Sequence, residues 1–95
     1  MGQLPSTKGI YGIAVVAELT GTGQQNLRLY ERKGLLEPER TAGGTRRYSE
    51  KDVQVLRRIV ALLDEGVNLA GVRLILELEA ENRQLRRERK RRPPG

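Results

Sequence analysis

The chain contains no cysteine, no histidine, no phenylalanine and no tryptophan. Without cysteine it has neither a disulfide framework nor a thiolate site. Without histidine it lacks the commonest general base and the commonest metal ligand. Scattered carboxylates such as Glu31 and Asp52 have no partner at catalytic spacing, and each has a helix role available. We therefore expect no catalytic residue, no metal and no cofactor; the chain does not read as an enzyme. With three tyrosines as its only aromatic residues, the core has to be aliphatic, built from Leu, Val, Ile and Ala. No apolar run approaches the roughly 20 residues of a membrane helix, and Met1 to Gly9 lacks the apolar stretch of a signal peptide. The expectation is a cytoplasmic, nucleoid-associated protein with no membrane partner.

The formal charge of +6 is unevenly placed. Arg83 to Arg92 holds seven basic residues and one acid, so the rest of the chain carries eleven of each sign. The basic excess is thus a property of one tail and says little about the body. Such runs bind phosphate backbones, or simply form a solvated, frayed helix end.

Ninety-five residues are enough for one small domain. Met1 to Gly9, mixing Gly, Pro, Ser and Thr, reads as a flexible tail. Ile10 and Tyr11 lead in as a short extended piece. Ile13 to Leu19 predicts a short helix with Ile13, Val16, Ala17 and Leu19 on its buried side. Thr20-Gly21-Thr22-Gly23 is a turn. A second helix runs from about Gln24 to Lys33 and stops at Gly34. Pro38 then opens a different segment. Ala42-Gly43-Gly44 breaks it into a β-hairpin, with strands near Glu39 to Thr41 and Thr45 to Tyr48. Ser49-Glu50-Lys51-Asp52 makes a capping-box start for a helix over Glu50 to Glu65, with Val53, Leu56, Val60 and Leu63 as its apolar stripe. Asn68 caps a last helix that starts at Leu69 and runs into the basic tail, ending at Pro93-Pro94.

The order is helix, tight turn, helix, hairpin, helix, helix. This predicts a mainly α fold with a small β-hairpin wing: a winged helix-turn-helix followed by a C-terminal dimerisation helix. The expected boundaries are a tail over 1–9, a helix-turn-helix and wing body over 10–80, and a C-terminal helix over 69–92 with a basic end.

On the second helix, Gln24, Gln25, Arg28, Leu29 and Arg32 fall on one side, with Leu27 and Tyr30 on the other. Arg reads guanine bidentately, Gln reads adenine, and Leu29 suits a thymine methyl. An ordinary polar helix face would look the same. In the hairpin, Arg40, Arg46 and Arg47 surround the Gly-Gly turn, Thr41 and Thr45 lie alongside, and Tyr48 closes the second strand. Arg46 and Tyr48 share one face, Arg47 the other. A protruding ribbon with these side chains grips phosphates beside a groove. Alternatively, its arginines only guard an edge strand. Helix and hairpin together favour double-stranded DNA.

Three stretches then carry a resemblance: Ile13 to Leu19, Leu27-Arg28-Leu29-Tyr30-Glu31-Arg32-Lys33-Gly34-Leu35, and Gly44-Thr45-Arg46-Arg47-Tyr48-Ser49. With the helix Glu50 to Glu65 and Gly66-Val67-Asn68-Leu69-Ala70-Gly71-Val72, they resemble the DNA-binding domain of the MerR family of bacterial regulators over about residues 10 to 80. Glu65-Gly66-Val67-Asn68-Leu69-Ala70-Gly71-Val72 and the Thr41 to Tyr48 wing are most similar to the heat-shock repressor branch, HspR. Many other members have a second tyrosine where Leu29 stands; that branch commonly does not. The resemblance implies a homodimer on an inverted-repeat operator. It places Arg28 and Arg32 on the recognition helix, and Arg46 and Tyr48 in the wing. It also brings a DnaK-type chaperone, or another protein co-regulator, into view as a partner. The effector domain and metal-binding cysteines of many members are not found in these 95 residues.

In the last helix, Ile75, Leu78, Asn82 and Leu85 fit alternating a and d positions of a heptad, with Asn82 suited to setting register. The pattern lasts about two heptads, so Ile75 and Leu78 covering the domain core is the plainer alternative. A repressor acting as a dimer leads. An architectural or excisionase-like protein that bends DNA is the alternative, and a module whose basic helix meets an acidic protein is a third.

Overall fold

The computed structural model describes residues 5–91. Among these the elements run β1 (Gly9–Tyr11), α1 (Ile13–Thr20), α2 (Gln24–Arg32), β2 (Glu39–Arg40), β3 (Arg46–Ser49), α3 (Glu50–Asp64) and α4 (Leu69–Arg91). The mainly helical winged arrangement is as expected. The chain forms two compact units divided within α3, one up to Ala61 and one from Leu62 onward.

In the first unit, α1 and α2 are joined by the Gly21–Gly23 turn and contact each other, and α1 also contacts β3. Tyr30, Glu31, Gly34 and Leu35 explain why α2 stops. The Leu35 N–H donates to the Tyr30 carbonyl and the Gly34 N–H to the Glu31 carbonyl. This is a Schellman closure, and it needs a left-handed residue, supplied by Gly34 at φ 78. The next helix starts equally sharply. The Asp52 N–H donates to Ser49 Oγ at 3.0 Å and the Ser49 N–H to Asp52 Oδ2 at 2.9 Å. Two otherwise orphaned donors are thereby satisfied reciprocally, as the capping-box pattern predicts.

The strands form one antiparallel sheet in the order β1-β3-β2. Glu39 pairs with Arg47 and Arg40 with Arg46. Gly9 pairs with Ser49 and Tyr11 with Tyr48, with an irregularity between them. The sheet corrects the expected tail. Met1 to Leu4 lie outside the described residues. From Ser6 onward the chain is tied down: its carbonyl accepts from the Lys51 N–H, and the Gly9 N–H donates to Glu39. A short polar segment can be ordered by backbone pairing that its own composition does not announce.

The core of the first unit is Val16, Leu27, Tyr30, Leu36, Tyr48, Val53, Leu56 and Ile59. Two expected stripes shift. On α1 only Val16 is fully buried, and Leu19 is exposed. On α3 the buried row is Val53, Leu56 and Ile59, continued by Leu62, while Val60 and Leu63 are only half-buried. Each step of three turns the row by about 60°, so the buried residues wind around α3 rather than keeping to one face as the mixed step proposed from sequence does. Only packing selects between them.

In the second unit, α3 ends as α2 does. The Val67 N–H reaches the Leu62 carbonyl, and the Gly66 N–H reaches that of Leu63. Asn68 caps α4 as expected: its Oδ1 accepts from the Gly71 N–H at 2.8 Å. Leu62 and Val72 are buried. Arg92 to Gly95, including the expected stop at Pro93-Pro94, lie outside the described residues.

Candidate nucleic-acid interface

Amphipathic spacing aims α2 outward. Leu27 and Tyr30 sink into the core, leaving Gln24, Gln25, Arg28 and Arg32 exposed. Leu29 is half-buried. Asn26 is exposed at the same end of the helix. It was not among the residues expected to meet DNA, although its side chain is chemically suited to reading adenine.

The hairpin is closed by Thr41. Its N–H donates to the Thr45 carbonyl at 2.8 Å, and its Oγ1 accepts from the Thr45 N–H at 3.1 Å. Alternation along β3 puts Arg46 and Tyr48 on one face and Arg47 on the other. Arg47 is exposed and extends to the start of α1; a side chain at Gly12 would come within 3.8 Å of its Nη1. Thr45 is exposed.

Glu31 joins helix to hairpin. Its Oε1 accepts from Arg40 Nη2 at 2.6 Å and its Oε2 accepts from Arg46 Nε. Arg40 also donates from Nη1 to the Gly44 carbonyl at 3.2 Å. The carboxylate is 17% exposed, whereas Arg46 is 28% and Arg40 48% exposed. The two guanidinium groups are thus held from the inner side and remain accessible from the outer one. The hydrogen bond to Glu31 holds the Arg46 guanidinium above its ordinary pKa, against the opposing effect of burial. Exposed ion pairs contribute only ~0–1 kcal/mol, so the chief consequence of this one is geometric.

Tyr48 departs from its expected part in the wing. Its side chain is 0% exposed, and its buried hydroxyl has no hydrogen-bond partner among the described residues. In this arrangement it is a core residue beneath the arginines rather than a phosphate contact. Burial pushes its pKa up, and the Glu31 charge adds to the rise while Arg46 and Arg28 oppose it. Glu31, Arg46, Asp52 and Arg28 thus all act electrostatically on this one buried ring.

Sequence reasoning gave Glu31 no site role. The available signal was spacing: a carboxylate at the end of a basic helix, followed within sixteen residues by three hairpin arginines. On α4, Leu78 and Leu85 are 55% and 52% exposed, Asn82 is exposed and Ile75 half-buried. Among the described residues no three His, Cys, Asp or Glu side chains are placed to hold a metal. No described helix is long and apolar enough to cross a membrane.

Comparison with known proteins agrees with this fold. Residues 11–79 match the family described as MerR HTH family regulatory protein. An HspR-type heat shock protein from Streptomyces coelicolor is 46% identical over 84 residues, 87% of this chain and 56% of the relative. The transcriptional regulator GlnR of Bacillus cereus is 39% identical over 67 residues, 70% of this chain and 52% of that protein. Among solved structures, HiNmlR, a MerR family regulator lacking the sensor domain and bound to promoter DNA, superposes with a TM-score of 0.68. It is 32% identical and aligned over 74% of this chain and 54% of its own. The chain spans about half the length of each of these relatives. The chain belongs to the MerR HTH family of regulatory proteins.

Proposed function

We propose that this chain is a sequence-specific transcriptional regulator of double-stranded DNA, a repressor that binds an inverted-repeat operator as a homodimer. One observation carries the reading: the exposed Gln24, Gln25, Arg28 and Arg32 face of α2 is joined through Glu31 to a hairpin bearing Arg40, Arg46 and Arg47. The helix supplies base-reading groups and the hairpin supplies phosphate-gripping ones, which are the two kinds of contact a specific complex needs. Arg28 and Arg32 read base edges. Arg40, Thr45, Arg46 and Arg47 hold the backbone. The chain works by binding and not by catalysis, on nucleoid DNA in the cytoplasm.

The dimer rests on α4. Leu78 and Leu85 expose large apolar surface at heptad spacing, with Ile75 one step before them and Asn82 between, and a second copy would cover it. Two-fold symmetry then matches a two-fold operator. The heat-shock relative supports a stress-response role; a DnaK-type chaperone or another protein is proposed as co-regulator.

Mobility-shift titration against the chain's own promoter region, with each half-site mutated in turn, tests this reading. The expected result is loss of affinity on mutating either half-site. Equal affinity for scrambled DNA overturns specificity. Sedimentation showing monomers that load head to tail on DNA transfers support to an architectural protein.

A further inference from the structure

We propose that Glu31 is the positioning residue that sets the wing against the recognition helix, and that it governs discrimination between DNA sequences rather than raw affinity. The proposal rests on the DNA-binding reading above. Both oxygens of one carboxylate are used, by two arginines that face each other across the β2–β3 pair. Arg40 carries the connection on to the Gly44 carbonyl in the turn. A single side chain of α2 is therefore linked to both strands of the hairpin and, through Arg40, to its tip.

The hairpin needs such a tie. β2 is two residues long, and β1 pairs only with the Tyr48–Ser49 end of β3, so the outer part of the hairpin is a two-stranded ribbon, too short to hold an orientation unaided. By charge alone, a carboxylate on this face opposes phosphate binding. What Glu31 supplies instead is a fixed offset between the groups that grip the backbone and those that read the bases. A wing free to tilt would still find phosphates, in many registers. A wing held by Glu31 finds them in the one that aligns Arg28 and Arg32 with their bases.

Charge and positioning predict opposite outcomes for Glu31→Gln. The probes are a duplex selected from a random-sequence pool by the wild-type protein and a scrambled duplex of the same composition. Positioning predicts that the affinity ratio between the two falls about tenfold, although the variant is more positive by one charge. Binding to the scrambled duplex stays level or tightens. A variant that binds the selected duplex more tightly at the wild-type ratio overturns the proposal. Should Glu31→Gln fail to fold by circular dichroism, Glu31→Asp carries the test. It keeps the charge, shortens the reach by one methylene, and is expected to lose discrimination as well; a wild-type ratio again overturns the proposal. Adding Arg40→Gln to either Glu31 variant should cost little further discrimination, because both changes break one connection; fully additive losses count against it. A wild-type protein that selects no sequence overturns the DNA reading itself. One that selects normally, with Glu31 variants that do the same, overturns only this inference.

Discussion

Gly9 and Arg47 meet backbone to backbone: a Cβ on Gly9 would lie 2.7 Å from the Arg47 carbonyl oxygen and 2.9 Å from its Cβ. No side-chain rotation relieves that overlap, because the carbonyl belongs to β3. Gly9→Ala should therefore push β1 off the sheet and lower stability by about 1–3 kcal/mol, read as a lower urea midpoint. At Gly71 the nearest obstacle is a Val67 methyl at 2.8 Å, which can shift. Gly71→Ala should cost less than Gly9→Ala in the same titration.

Ser49 and Asp52 exchange hydrogen bonds at the junction of β3 and α3. Ser49→Ala should destabilise by ~1 kcal/mol, the usual value of an N-cap. The double variant with Asp52→Ala should cost less than the two single changes added, since either one breaks the reciprocal pair. Strict additivity in denaturant titration would show two independent bonds.

Burial raises the pKa of both Tyr30 and Tyr48 from the ordinary 10.0, with Glu31 adding to the shift at Tyr48. The folded protein therefore holds these phenolic protons more tightly than the unfolded chain does. Their contribution to stability is complete below the ordinary tyrosine pKa. It declines as pH rises from there through the raised folded values, because only the unfolded chain gains from ionising. A near-ultraviolet titration should show these two tyrosinates appearing late, together with a falling thermal midpoint above pH ~10. Ionisation of both at the ordinary value without unfolding would refute the assignment.

Arg28 is exposed on α2 with no hydrogen bond or ion pair among the described residues. Arg28→Ala should weaken cognate binding by about 1–3 kcal/mol and relax preference at one base. A uniform loss over all sequences would mark Arg28 as a phosphate contact instead.

Removal of Arg86 to Gly95 takes away most of the excess positive charge. We expect a salt dependence flatter by about 0.9 in slope for each phosphate that is no longer neutralised, with weaker binding to scrambled DNA. Loss of the proposed dimer in sedimentation would instead assign the segment to subunit association.

Much of the fold was legible in the chain. Gly34 ended α2, Ser49 and Asp52 opened α3, and Asn68 opened α4, because each signal acts over three to five residues of contiguous backbone. The strand formed by Gly9–Tyr11 was barely visible: its partner lies almost forty residues away, and three mixed residues carry no periodicity. The α3 stripe could be read in either of two registers, and the packing of Leu56 and Ile59 chose one.

The candidate site divides in the same way. Helical angles in the sequence already put Gln24, Gln25, Arg28 and Arg32 on one face of α2, and alternation put Arg46 opposite Arg47, since both follow from local geometry. Tyr48 in the core and Glu31 between Arg40 and Arg46 depended on bringing α2 against the hairpin. Whether a tyrosine faces solvent, or which arginine a carboxylate meets, is set by neighbours distant in sequence. That is why the chain by itself determined the helices, their caps and the composition of the exposed face of α2, while tertiary packing decided how the wing is held and which of its side chains remain accessible.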